Sequence, residues 1–87
     1  MSLTVAPASI QTPALRRGTP LQLVAVGNGR WRVIDAAGRI AGHLDALIDP
    51  RGVRYRARRY HPGSRAFRDL GDFWSADDAV DCLRFAR

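Results

Sequence analysis

From residue 21 onward, apolar and polar positions alternate along most of the chain, and the alternation breaks at clusters of glycine, proline and asparagine. Period-two alternation marks a half-buried strand. LQLVAV, residues 21–26, reads as a first strand, and Gly27-Asn28-Gly29 offers the positive φ values of a tight hairpin. RWRVID, 30–35, is a second strand, and Ala36-Ala37-Gly38 a short turn. RIAGHLDAL, 39–47, is a third, with Gly42 a place for a bend. Asp49-Pro50-Arg51-Gly52 has turn chemistry, VRYRARRY, 53–60, is the clearest strand, and AFRDLG, 66–71, follows a turn at His61-Pro62-Gly63-Ser64.

The period then changes. Ala76, Ala79, Val80, Leu83 and Ala86 fall on one helical stripe. Ser75 is suited to the N-cap, with Asp78 three residues on in the manner of a capping box. Trp74 is placed to fold back on Ala79 as a hydrophobic staple. Aspartates at 77, 78 and 81 and arginines at 84 and 87 complement the helix dipole. The expected fold is α+β: a four- to five-stranded antiparallel meander packed on one C-terminal helix. Its core partners are Trp31, Val33, Ile40, Leu44, Val53, Tyr55, Phe67, Leu70 and Phe73. Residues 1–20, punctuated by Pro7, Pro13 and Pro20, form a poorly ordered N-terminal segment, and 21–87 a single domain.

Composition changes this picture mainly through charge. The 87 residues include 14 basic side chains, all arginine, and 8 acidic ones, all aspartate, for a net charge of +6. An arginine bias also follows from a GC-rich genome, so distribution carries more information than content. Residues 30–68 hold ten arginines and three aspartates, whereas 69–87 hold five aspartates and two arginines. The longest apolar runs are too short to span a membrane, no secretory signal is evident, and the lone Cys82 fits a reducing compartment. A cytoplasmic setting with no membrane partner is the expectation.

Strand alternation turns charge into a surface. In 53–60, Val53, Tyr55 and Ala57 share one side and Arg54, Arg56 and Arg58 the other. Trp31 and Val33 point inward, so Arg32 joins the arginine side; Ile40, Gly42 and Leu44 point inward, so His43 joins it too. Arg30, Arg39, Arg51, Arg59, Arg65 and Arg68 are expected at edges or turns near that face, and Tyr60 would stack on a base if it lies there. Guanidinium presents a rigid donor fork to phosphate and to the O6 and N7 of guanine. Nucleic acid, DNA ahead of RNA, is the expected partner, bound by Arg32, Arg54, Arg56, Arg58, Arg30, Arg39, His43, Arg59 and Tyr60. The bland alternative is a solvated face laced with aspartate pairs. A further alternative is a protein-interaction module, an adaptor or inhibitor that binds an acidic partner or pairs at an open sheet edge.

Other chemistry is poorly supplied. His43 and Asp45 share a strand face without a nucleophile, and His61 sits in a turn before Pro62. Two histidines and one cysteine at these spacings make no zinc site, and the glycines fit no phosphate or dinucleotide fingerprint. No enzyme, metal or cofactor is expected.

Leu70-Gly71-Asp72-Phe73-Trp74-Ser75-Ala76-Asp77-Asp78-Ala79 resembles the L-G-x-F-x-[ST]-x-[DE]-[DE]-A stretch of AP2-type and phage-integrase arm-binding domains. In those families it joins the last strand of a three-stranded antiparallel sheet to a C-terminal helix, and sheet arginines and tryptophans read the DNA major groove. By that resemblance Arg32, Arg54, Arg56 and Arg58 face DNA. Arg51-Gly52-Val53-Arg54 is similar to the opening of AP2 domains, but a whole strand is missing between the two stretches, so they do not hold in one register.

Overall fold

The computed structural model describes residues 10–85. Five strands, β1 (Gln22–Gly27), β2 (Arg30–Ile34), β3 (Ile40–Asp49), β4 (Gly52–His61) and β5 (Ala66–Phe73), precede one helix, α1 (Ala76–Phe85). The strands form a single antiparallel sheet in the order β1-β2-β3-β4-β5, so the α+β meander with a C-terminal helix expected from the pattern is the fold.

One face of the sheet carries the core. Trp31, Leu44, Ala57 and Gly71 pair in a row across β2 to β5, and Val33 pairs with Gly42. Trp31, Val33, Leu44 and Ala57 are buried with Ala79, Val80 and Leu83 of the helix. The helix lies over β3, β4 and β5. Its start follows the capping pattern: Ser75 Oγ accepts from Asp78 N at 3.3 Å. Gly42 marks where helix and sheet meet most closely. A Cβ there would lie 2.6 Å from both the Arg58 carbonyl oxygen and Leu83 Cδ2, so the position accepts no side chain without movement.

The segment expected to be poorly ordered is partly accounted for. Residues 10–20 run as a strap that covers the part of the core face the helix leaves open. Ile10, Leu15 and the buried Leu21 pack on the core. Trp31 Nε1 donates to Thr12 Oγ1 at 2.9 Å, and Arg16 N donates to Asp77 Oδ1 at 2.6 Å, tying the strap to the sheet and to the first turn of α1. Residues 1–9 of that segment lie outside the described residues.

Three expected core residues lie outside the core cluster: Val53, and two, Phe67 and Ile40, that are displaced by a break in pairing. Between Arg58 and Ala57 on β4 the partner strand advances from Asp69 to Gly71, which leaves Leu70 as an extra residue. A bulge of this kind reverses the parity of the strand. Leu70 therefore packs on the core while Phe67 faces away from it, 41% exposed. A second irregularity between Val33 and Ile34 leaves Ile40 56% exposed. Trp74 does not act as a staple on Ala79: it is 52% exposed and stands under Arg51 and Arg54.

Candidate nucleic-acid interface

The face opposite the helix holds the arginines that alternation assigned to it. Two cross-strand rows define it: Arg30, Asp45, Arg56, Asp72, and Arg32, His43, Arg58, Asp69. Val26 of β1 and Phe67 of β5 line one depression of about 200 Å³ with Arg30, His43, Asp45 and Arg58. Residues from the two edge strands thus meet over the centre, and the face is concave.

The centre of this face is an alternating ion-pair lattice. Asp45 lies 2.9 Å from Arg30 and 3.2 Å from Arg58. Asp69 lies 2.9 Å from Arg58 and 3.8 Å from Arg56, and Asp72 closes the row on Arg56 at 2.8 Å. The Arg56 hydrogen bond and charge hold the Asp72 carboxyl below its ordinary 3.8. The bulge in β5 makes this possible, because it brings Asp69 and Asp72 to the same side despite their odd separation. Arg56 and Arg58 therefore face outward as expected but are occupied by aspartates. Arg54 is less engaged, 3.8 Å from Asp49 with its guanidinium 5.3 Å from the Trp74 ring centroid.

Two residues assigned to this interface lie on the other side. Arg59 has the parity of Ala57, not of Arg58, and donates to the Leu83 carbonyl near the end of α1. Arg39 pairs with Asp35 at 3.4 Å in the β2–β3 turn and lines a depression with Leu21, Leu83 and Arg84. Asp35 accepts from the backbone of Arg39 and Ala37, and the Arg39 N–H in particular lowers its carboxyl from 3.8.

One end of the face differs from the centre. The β3–β4 ladder stops at His43 opposite Arg58, although β3 continues to Ile40 beside β2 and β4 continues to His61 beside β5. The strands part there around a cleft of about 440 Å³, bordered by Ile40, His43, Arg59, Tyr60, Pro62 and Phe67. Tyr60, 47% exposed, meets Phe67 edge-on at 5.4 Å, and Phe67 meets His43 edge-on at 4.9 Å. Burial, then the Arg32 charge, lowers the His43 ring from its ordinary 6.5, so it is neutral at pH 7. Among the described residues Arg32, Arg65 and Arg68 make no ion pair; Arg32 stands opposite His43 and the other two flank Phe67 in sequence.

Sequence reasoning placed Arg32 and His43 on the open face, left Tyr60 undecided, and missed Phe67 and Trp74. Among the described residues no cluster of three or more histidine, cysteine or acidic side chains is placed to hold a metal, and no helix is long and apolar enough to cross a membrane. The chain matches no family model, no curated protein and no solved structure. The ten residues 70–79 that resemble the AP2-type and integrase stretch do join the last strand to the helix, in a sheet of five strands rather than three.

Proposed function

We propose that this chain is a non-catalytic nucleic-acid-binding module that works through the open face of its sheet. The observation that carries the reading is the parted end of the face, where Tyr60 and Phe67 are exposed and Arg32 and Arg65 make no ion pair, in a chain of net charge +6. Aromatic faces take bases and unpaired guanidinium takes phosphate. The ion-pair lattice shifts the weight of the expected interface from Arg56 and Arg58 toward Arg32 and the β4–β5 hairpin. DNA ranks ahead of RNA by the resemblance over residues 70–79 alone, and the free thiol of Cys82 supports a cytoplasmic setting.

Titration of labelled oligonucleotides between about 50 and 200 mM salt tests the reading. Log affinity falling linearly with log salt, with a slope of several units, supports it. No binding at the lowest salt would retire it.

A protein partner is the second reading, favoured by the opposite end of the same face. Trp74 under Arg51 and Arg54, beside the β3–β4 turn, has the tryptophan–arginine composition of interface hot spots. Tight, salt-insensitive capture of an acidic protein, lost in Trp74→Ala, would favour this reading over nucleic acid.

A further inference from the structure

We infer that the cleft between the parted ends of β3 and β4 receives one unstacked base, and that the module therefore takes single-stranded nucleic acid in preference to duplex. The inference rests on the nucleic-acid reading and narrows it to a strand type.

Size, lining and surroundings agree. About 440 Å³ falls within the range of small-molecule sites and accommodates a nucleobase with part of its sugar. The border is largely apolar and aromatic, with the exposed rings of Tyr60 and Phe67 both lining it at 71° to each other. A base offers a flat π-face to such a wall whatever its identity, and the same face is withheld when the base is paired and stacked in a duplex. Cations stand where a backbone leaving the cleft would run: Arg32 opposite His43 on the open face, and Arg65 in the β4–β5 turn, whereas Arg68 pairs with Arg59 and projects to the helix side. Arg58 already places its guanidinium 5.2 Å from the Phe67 centroid, an arrangement that stiffens the ring.

The centre of the face argues in the same direction. A duplex laid across the concave sheet would bring its phosphates against Asp45, Asp69 and Asp72 along with the arginines they pair. A single strand that enters the cleft with one base reaches Arg32 and the turn residue Arg65 without crossing that lattice.

The test uses the 87-residue chain and three labelled probes by fluorescence anisotropy: an oligothymidine, an oligouridine of equal length, and a mixed-sequence duplex. Parent, Tyr60→Ala, Phe67→Ala and Tyr60→Phe are compared, with thermal melts to verify folding; both residues are exposed, so the melts should stay close to the parent. Expected is at least about tenfold tighter binding of a single strand than of duplex. Each alanine variant should lose about five- to 150-fold on the single strand, the worth of one stacked base, with the salt slope unchanged. Tyr60→Phe should retain parental affinity. The thymidine and uridine arms show which kind of strand the cleft takes. Equal or tighter binding of the duplex, or alanine variants that bind the single strand as the parent does, would overturn the inference while leaving the nucleic-acid reading in place. No binding of any probe would overturn both.

Discussion

The centre and the parted end of the open face use the same residue types to opposite effect. At the centre, Arg30, Arg56 and Arg58 alternate with Asp45, Asp69 and Asp72 at 2.8–3.8 Å, and the charges largely cancel. At the parted end, Arg32 and Arg65 make no ion pair, and the rings of Tyr60 and Phe67 are exposed. The difference teaches that the number of arginines on a surface does not measure its capacity for anions. What counts is how many lack a fixed counter-charge, and here backbone pairing decides that: a bulge delivers carboxylates to the centre, and a lost ladder opens the end.

The sharpest way to break the contrast is to disturb the point where β3 leaves β4. Gly42→Ala sets a methyl 2.6 Å from a backbone oxygen that cannot swing away, and against Leu83 of the helix. A loss of about 1–3 kcal/mol is expected, seen as a melting temperature lower by roughly 4–8 °C per kcal/mol. A melt like the parent's would mean that helix and sheet do not meet as closely as described.

Removing a carboxylate from the lattice should make the centre resemble the end. Asp45→Asn releases Arg30 and removes one of the two carboxylates that hold Arg58. Arg30 is largely exposed and Arg58 keeps Asp69, so little stability is at stake and a change of about 1 kcal/mol or less is expected. Oligonucleotide affinity should rise severalfold at low salt, and the log–log salt slope should steepen by about one unit. Unchanged affinity would mean that aspartates do not limit the centre.

The smallest effect is a pH dependence at the border between the two regions. His43 is held neutral in the folded chain mainly by burial and then by Arg32, so its folded value lies below its unfolded 6.5. The unfolded chain then binds more protons between those two values, and stability rises with pH across that window. The contribution is complete above about pH 6.5 and is lost as the pH falls toward the folded value. Denaturant melts of the parent should show this slope, and His43→Phe should flatten it. An identical slope in the variant would place the titration elsewhere.

Much of this was legible in the sequence, and the rest fails for identifiable reasons. Alternation gave a four- to five-stranded meander, the helix, and the faces on which Arg32, His43, Arg54, Arg56 and Arg58 lie, and left the face of Tyr60 open. Alternation also put Asp45 beside His43, so one lattice carboxylate was visible. Asp69 and Asp72 were not, because an odd spacing shares a face only through the bulge at Leu70, which no residue pattern announces. The same bulge misplaces Phe67. Arg59 was assigned by charge, although its parity with Ala57 already directed it toward the helix. The strap was hidden because Ile10, Thr12 and Leu15 follow neither period and gain their roles only from Trp31 and the core beside it.

The central claim is that paired and unpaired arginines on one sheet face are unequal toward phosphate, and the salt slope of single-strand binding by Arg32→Ala and Arg56→Ala measures it most directly. Arg32→Ala should lower the slope by about 0.7, the loss of one phosphate contact on a single strand, and Arg56→Ala should leave it within error of the parent. A slope lowered by Arg56→Ala and untouched by Arg32→Ala would contradict the account.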